Sequence, residues 1–228
     1  MTIQDLLSSL NLQINNAHLI GNAFVHRSYL NENNLWQESN ERLEYLGDAV
    51  IELATTHFLY TRFPEYQEGM LTNLRAALVR TTTLAELSKK LGLNKLMLMS
   101  KGEEAGGGRE NISLLADCFE ALIGAVYLDS GYIAATSILT AHLFPKINSV
   151  LASTSYKDKK SELQEIAQAK YHLTPRYNLL SESGPDHDKD FTMQVVIGNN
   201  KLGLGHGKSK QAAQEDAART SLEIISRT

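Results

Sequence analysis

The sequence predicts two domains of different fold class: an all-α domain, followed by a small α+β domain with the order α-β-β-β-α. Three observations support this division. Apolar residues recur at helical spacing through most of residues 1–150, whereas three segments after residue 175 have the composition and spacing of strands. A small, polar and aperiodic segment separates the two patterns. We therefore expect the first domain at 2–132, a linker at 148–157 and the second domain at 158–227.

The helices of the first domain are predicted from caps, breakers and apolar periodicity. Asn40 is expected to cap a helix that must end by Pro64, and the apolar pattern of 71–91 is also helical. The three glycines at 106–108 predict a mobile loop. Residues 114–128 are apolar on nearly every side, which predicts a buried helix.

The second domain begins with a predicted helix at 161–170. Strands are expected at 176–182, 191–198 and 201–205, and the turn Asn199-Asn200 joins the last two strands as a hairpin. Ser209 is expected to cap a final helix that runs through Ile225. Four small residues would let that helix lie close to the sheet: Ala212, Ala213, Ala217 and Ala218.

The composition of the 228 residues suits a protein of the reducing cytosol. Cys118 is the single cysteine, which excludes a disulfide framework and a cysteine-based zinc site. The N-terminus lacks the basic start of a signal peptide, and no apolar stretch is long enough to cross a bilayer. The net charge is −4, with −5 in residues 1–150 and +1 in residues 151–228. We expect a cytoplasmic protein without a membrane partner, whose acidic first domain suits metal binding.

Two pairs of carboxylates in the first domain indicate its chemistry. Glu44 and Asp48 lie four residues apart, and Asp117 and Glu120 lie three residues apart, so each pair shares one face of a predicted helix. The second pair lies within an apolar helix, where a carboxylate needs a cation, a donor or a proton. If the two helices pack together, four carboxylates converge. Oxygen ligands without His or Cys favour Mg²⁺ or Mn²⁺ over Zn²⁺.

Spacing alone leaves other interpretations of these carboxylates open. Glu44 and Asp48, taken alone, fit a solvated helix face better than they fit a metal site. A structural ion pair with Arg42 or Arg75 would also satisfy the acids of the second pair.

The residues around both pairs resemble the ribonuclease III family. The stretch 40–48, NERLEYLGD, is similar to the signature of that family, and 116–121, ADCFEA, is similar to its second acidic motif. Supporting matches are FVHRSY at 24–29, EG at 68–69, RAALV at 75–79 and GAVYLD at 124–129. The resemblance covers nearly the whole chain, with the motifs in the expected order. It implies the ribonuclease III fold for the helical domain.

The resemblance implies an endonuclease that hydrolyses double-stranded RNA and leaves 5′-phosphate and 3′-hydroxyl ends. Mg²⁺ would be the cofactor, with Mn²⁺ able to substitute, and Asp48 and Glu120 would be catalytic residues. The metal-binding carboxylates would be Glu44, Asp48, Asp117 and Glu120. A homodimer would make paired cuts across a duplex, in the processing of ribosomal and messenger RNA precursors.

Two further acids match family positions near the substrate or the dimer interface. They are Glu41 and Glu68, and a plain surface or interface role is as open for them as a direct RNA contact.

The second domain resembles a double-stranded RNA-binding domain at three places. In its first helix, Gln164 and Glu165 hold positions where the family contacts a minor groove. The loop 184–191, GPDHDKDF, keeps the family's Gly-Pro-x-His-x-Lys-x-Phe form and offers His187 to the next minor groove. The stretch 205–210, GHGKSK, brings Lys208 and Lys210 to phosphates at the start of the last helix.

The last helix departs from that family's pattern, which has two adjacent lysines and often another three residues later. Gln211 and Gln214 hold those later positions here, and Lys208 would partly substitute. Because fewer phosphates are then neutralised, we expect weak, salt-sensitive binding by this domain in isolation.

Other function classes fit the sequence less well. The stretch 203–209, GLGHGKS, looks like a phosphate-binding P-loop but is one residue short of the required spacing. A non-catalytic protein that binds double-stranded RNA on a nuclease scaffold is the main competitor, and the presence of all four acids disfavours it. A metal-dependent phosphohydrolase of small molecules would leave the second domain unexplained.

Overall fold

The computed structural model describes residues 1–153, 159–185 and 189–226, and the chain divides into two compact units, Met1–Tyr156 and Lys157–Thr228. Helices build the first unit, which confirms its predicted all-α class. They are α1 (Ile3–Ser9), α2 (Ala17–Asn22), α3 (Glu41–Arg62), α4 (Glu68–Leu78), α5 (Thr81–Lys90), α6 (Lys101–Ala105), α7 (Ile112–His142) and α8 (Ile147–Ser153). Across the three described ranges, no helix has the length and apolar character that crossing a membrane requires.

Helix α7 forms the centre of the first unit. Leu115, Phe119, Leu122 and Val126 on this helix are fully buried, and α3 and α5 pack along it. The predicted buried helix at 114–128 is therefore confirmed. It continues to His142 past a break at Gly131, where a φ of 81° lies in the left-handed region that glycine adopts without strain.

Helix α3 has the predicted bounds, but the predicted side-chain cap at Asn40 is wrong. The Asn40 side chain makes no hydrogen bond to the first turn of α3; its Nδ2 donates to the Ala23 carbonyl oxygen at 3.3 Å. The Asn40 backbone N–H donates to the Val25 carbonyl oxygen at 2.8 Å. Because Asn40 is buried, its amide must find a partner in the protein, and the nearest one ties the start of α3 to the preceding segment.

Two other segments differ from the prediction. The helical pattern of 71–91 is divided between α4 and α5, because the backbone at Arg80 is extended, with a ψ of 146°. Gly106 and Gly107 lie between α6 and a 3-10 turn at Gly108–Glu110, so this segment is largely helical. The Arg109 guanidinium stabilises it by donating to the carbonyl oxygens of Asn94 and Met97, at 2.8 and 2.9 Å.

The first unit extends past residue 132, where the sequence places its end. Helix α8 occupies the first part of 148–157, the segment interpreted as a linker. Val150 and Leu151 of this helix pack against a small core that contains Leu59, Leu74 and Leu78. The segment therefore packs onto the first unit through two apolar residues, although most of its residues are polar. The remainder of the expected linker, 154–157, lies outside the described residues.

The second unit has the predicted order α-β-β-β-α. Its elements are α9 (Lys159–Tyr171), β1 (Arg176–Ser183), β2 (Asp190–Ile197), β3 (Asn200–Gly207) and α10 (Lys210–Ser226). The strands form an antiparallel sheet in the order β1-β2-β3, with a core of its own that includes Leu163 and Val195. The Ser209 hydroxyl accepts the Ala212 N–H at 3.1 Å, which confirms the predicted cap of α10.

Helix α10 lies against three alternate glycines of β3. A Cβ atom at Gly203, Gly205 or Gly207 would overlap the backbone of α10. The glycine pattern that looks like a P-loop is therefore a packing surface between a strand and a helix, to which the predicted small residues of α10 contribute.

Candidate metal centre and nucleic-acid interface

Two glycines set the distance between α3 and α7. A Cβ atom at Gly47 would overlap the Glu120 carbonyl oxygen, and a Cβ atom at Gly124 would overlap the Leu43 carbonyl oxygen. The two helices therefore cross in backbone contact. Because Glu44 lies three residues before Gly47, and Glu120 four residues before Gly124, this crossing brings the two carboxylates together.

Three of the four predicted ligands gather at the crossing. One oxygen each from Glu44, Asp117 and Glu120 lies within 4.8 Å of the other two, and all three residues are partly buried. Asp48 lies outside this group of three. It is exposed, one turn after Glu44 on α3, and its charge acts on both glutamates of the group.

The charged form of this pocket is unfavourable without a cation. Burial raises the pKa of Glu120 to about 8, and the charges of Asp48, Asp117 and Glu44 act in the same direction. Burial is also the main reason that the pKa values of Asp117 and Glu44 lie above their usual range. A pocket in which carboxylates disfavour one another's ionisation is suited to a divalent ion.

The arginines that could have satisfied these acids pair elsewhere. Arg42 lies 3.8 Å from Glu38, and Arg75 lies 2.8 Å from Glu52. Within the described ranges, no lysine or arginine forms an ion pair with any of the four predicted ligands. The alternative of a structural ion pair with Arg42 or Arg75 is therefore wrong.

His26 also lies near the pocket, close enough to act on Asp117, a position that its spacing in the sequence did not predict. Its Nδ1 accepts the Ser28 N–H at 3.4 Å and lies 2.8 Å from the Ser28 hydroxyl, which in turn accepts the Ser100 N–H at 3.0 Å. A positive charge on His26 would oppose the effect of burial on the pKa of Asp117. The FVHRSY motif was the available signal, but its spacing does not reveal which helix it packs against.

The structure places Glu41 and Glu68 on the surface. Glu41 accepts the Ser39 hydroxyl at 2.9 Å and lies 3.7 Å from Arg27. Glu68 accepts the Thr72 hydroxyl at 3.1 Å, within the first turns of α4. Neither residue belongs to the group of three carboxylates.

The predicted RNA contacts of the second unit lie on exposed positions where they are described. Gln164 and Glu165 project from α9, and Lys208 and Lys210 flank the start of α10. His187 lies outside the described residues.

The two glutamines that replace expected lysines lie on α10. Gln211 is exposed, whereas the Gln214 side chain accepts from Lys160 Nζ at 2.8 Å. A lysine of α9 thus brings its charge to position 214, a contact that the sequence did not predict.

Both units match known protein families. Residues 16–147 match the family model described as Ribonuclease-III-like, and residues 159–225 match the model described as Double-stranded RNA binding motif.

Curated relatives named Ribonuclease 3 match nearly the whole chain. The relative from Enterococcus faecalis is 46% identical over 209 residues, which cover 91% of this chain and 90% of the relative. The relative from Syntrophobacter fumaroxidans is 45% identical over 229 residues, covering 98% of this chain and 94% of the relative.

Among solved structures, the chain is similar to the nuclease domain of ribonuclease III from Campylobacter jejuni. The sequence identity is 37% and the TM-score is 0.59, covering 63% of this chain and 97% of that chain. For that domain, structural flexibility is described in the region involved in dimer formation.

Proposed function

This chain belongs to the ribonuclease III family and is an endoribonuclease that acts on double-stranded RNA, and we propose that it works by Mg²⁺-dependent hydrolysis, leaving 5′-phosphate and 3′-hydroxyl ends. The observation that carries this proposal is the group of carboxylates between α3 and α7. Glu44, Asp117 and Glu120 bring oxygens within 4.8 Å of one another. In the described part of the chain, no basic side chain forms an ion pair with them.

The residues present fit a hard divalent ion. Carboxylate oxygens are the ligands that Mg²⁺ prefers, and Glu44, Asp117 and Glu120 would hold the ion with one oxygen each. Mn²⁺ accepts the same donors. When bound, such an ion would make water a better nucleophile and stabilise the charge that develops on the phosphoryl oxygens.

The four acids would have different roles, which follow from their positions. Glu44, Asp117 and Glu120, which are partly buried, would hold the ion. Asp48 is exposed beside them, so its carboxylate can reach solvent and substrate and orient the attacking water. Asp48 and Glu120 are therefore our proposed catalytic residues.

Incubation of the full chain with long duplex RNA tests the reaction. We expect short duplex products with 5′-phosphate ends in Mg²⁺ or Mn²⁺ and no products in EDTA. Glu120→Gln should remove cleavage and leave duplex binding in EDTA intact. Glu65→Gln makes the same charge change at an exposed position outside the pocket and should cleave like the wild type. If Glu120→Gln loses duplex binding as well, Glu120 has a structural role instead.

The second unit would hold the duplex through A-form shape and phosphate contacts. The proposed contacts are Gln164, Glu165, His187, Lys208 and Lys210. Substitution of Lys210 by Gln should weaken binding of every duplex sequence alike, because a lysine–phosphate contact carries no base information. Strong dependence of that loss on the duplex sequence would contradict this role.

A homodimer is supported by an apolar groove on the first unit. The groove has a volume of about 560 Å³ and is lined mainly by α3 residues and by Tyr127 and Tyr132. Leu53 within it is 60% exposed. We propose that a second copy of the chain covers this groove, so that two pockets act on the two strands of one duplex.

Sedimentation of two variants tests the homodimer. Leu53→Asp should yield monomers, because it places a charge in the groove. Leu35→Asp makes the same change at a leucine that is 78% exposed outside the groove, and it should leave the dimer intact. A wild-type chain that sediments as a monomer would contradict the proposal.

We also propose that the enzyme processes ribosomal and messenger RNA precursors in the cytoplasm. The support for this role is the similarity to curated Ribonuclease 3 relatives over nearly the whole chain. Cells that lack the gene should accumulate unprocessed ribosomal precursors, and the wild-type gene should restore processing while a Glu120→Gln gene should not.

A further inference from the structure

The lysines at the start of α10 have carboxylate neighbours within the second unit. Lys210 Nζ lies 3.9 Å from Glu182 Oε2 and 5.8 Å from the centre of the Phe191 ring. Lys208 Nζ lies 3.2 Å from Asp190 Oδ2. The cations that would meet RNA phosphates therefore already face anions of their own domain.

Glu182 is the centre of this arrangement because it faces two lysines. Its other oxygen, Oε1, accepts from Lys189 Nζ at 2.7 Å. The Glu182 and Lys189 side chains are only 33% and 32% exposed, whereas Asp190 and Lys208 are 61% and 64% exposed. Since partial burial reduces screening by solvent, the pair with Lys189 holds the Glu182 carboxylate firmly in place. Lys210, which is 59% exposed and 3.9 Å from that carboxylate, remains open to solvent and so to a phosphate.

The register of the sheet fixes these neighbours. Glu182 on β1 lies opposite Phe191 on β2, and Phe191 lies opposite Gly207 at the end of β3. The chain then passes through Ser209, which caps α10, so Lys210 begins the helix beside that row. The carboxylate of Glu182 is thus held near Lys210 by strand pairing and by the cap.

We propose that Glu182 competes with RNA phosphate for Lys210, and so limits the affinity of this enzyme for duplex RNA. Asp190 acts in the same way on Lys208, which lies 3.2 Å from it. The inference rests on the proposed phosphate contact of Lys210. When a phosphate approaches, it must displace the carboxylate, and the displaced carboxylate then repels the phosphate.

Duplex binding by the full chain in EDTA, measured by fluorescence anisotropy, tests the competition. Glu182→Gln should bind about threefold to fivefold more tightly than the wild type, which is the size of one ion pair near the surface. Glu223→Gln is the matched control, since it makes the same charge change at a carboxylate of the same unit that pairs with Arg219. The control should stay within about twofold of the wild type.

The salt dependence provides a second readout. A lysine released from its carboxylate can neutralise a phosphate and release counterions, so the affinity of Glu182→Gln should fall more steeply with salt, by up to about one unit of log–log slope for each newly made contact. The gain from Glu182→Gln should also shrink when Lys210→Gln is added, because the competition acts through that lysine.

The possible outcomes distinguish failure of the proposed competition from failure of the proposed function. If the wild type binds duplex RNA and Glu182→Gln binds no better than Glu223→Gln, the competition is wrong and the RNA contacts stand. If the wild type does not bind duplex RNA, the proposed function fails. Should Glu182→Gln not fold, Asp190→Asn tests the corresponding competition at Lys208, and an affinity equal to that of Glu223→Gln would contradict the inference.

Discussion

Glu120 occupies a pocket in which ionisation is unfavourable without a cation. Its pKa is raised to about 8, first by burial and then by three neighbouring carboxylates. The same residue would ligate the metal ion that makes its charge favourable. Stability, protonation and metal binding are therefore coupled at this one side chain.

Without metal, the free energy of unfolding should fall as pH rises from about 4.5 to about 8. In this window, the folded protein keeps a proton on Glu120 that the unfolded chain has released, so raising the pH favours unfolding. One such proton contributes a slope of at most about 1.4 kcal/mol per pH unit. Denaturant melts in EDTA across this range measure the slope.

Two variants check the source of that slope. Glu120→Gln should flatten the pH dependence and should be more stable than the wild type at pH 8. Glu65→Gln, at an exposed position, should follow the wild-type curve. An unchanged slope in Glu120→Gln would show that other groups govern the pH dependence.

At the scale of secondary structure elements, both units depend on close contact made possible by glycine. In the first unit, Gly47 and Gly124 let α3 and α7 touch, and this contact creates the carboxylate pocket. In the second unit, the glycines of β3 let α10 lie on the sheet and set the position of its single lysine, Lys210. Close contact at glycine therefore positions both the carboxylates proposed to bind metal and the lysine proposed to bind RNA.

Gly47→Ala should destabilise the first unit, although alanine is normally the better helix former. Its Cβ would overlap the Glu120 carbonyl oxygen. We therefore expect the free energy of unfolding to fall by about 2–3 kcal/mol, the upper range for overpacking. Metal binding should weaken too, since the helices must move apart. Thermal melts and Mg²⁺ titrations measure both effects.

The control for that substitution is Gly69→Ala. Gly69 lies in α4 with open space around its Cα, so the alanine should be neutral or stabilising by up to about 1 kcal/mol. If the first unit of Gly47→Ala is as stable as that of Gly69→Ala, α3 and α7 can move apart without cost. Backbone contact would then not determine the geometry of the pocket.

Gly205→Ala should act on the second unit alone. A Cβ there would overlap the backbone nitrogen of Ala217. Because α10 then packs less closely on the sheet, we expect the free energy of unfolding of the second unit to fall by about 2–3 kcal/mol and duplex binding to weaken. Cleavage at low salt should decline less than binding at moderate salt. Retention of full duplex affinity would show that α10 can shift without moving the RNA contacts.

At the scale of the whole molecule, the chain combines two units with separate cores. The core of the first unit surrounds α7, and the core of the second lies between its sheet and helices. Separate cores allow each unit to keep its fold when the other is removed.

Deletion of residues 156–228 should therefore leave a folded nuclease. We expect its duplex affinity at moderate salt to fall by about tenfold or more, because the lysines of the second unit are lost, while cleavage in low salt persists. Parallel binding and cleavage assays on the shortened and full chains measure the two effects. Equal affinity of the two chains would show that the second unit is not the RNA anchor.

The sequence by itself determined the two fold classes and the order of elements in the second domain, and it marked four acids as candidate metal ligands. Periodicity and strand alternation are local properties, so α3, the buried part of α7 and the three strands could be predicted from residue types alone. The acids could be proposed because carboxylates at helical spacing inside an apolar helix need a partner.

Only the tertiary structure decided which groups meet. The Asn40 side chain bonds to Ala23 and not to the first turn of its own helix, and α8 folds where a linker was expected, because both outcomes depend on residues distant in sequence. Likewise, the meeting of Glu44 with Asp117 and Glu120, the place of His26 and the pairing of Glu182 with Lys210 follow from helix crossing and strand register. The spacing of residues in the sequence determines which side chains share one face of a helix or strand. The distances between side chains on different elements follow from how those elements pack.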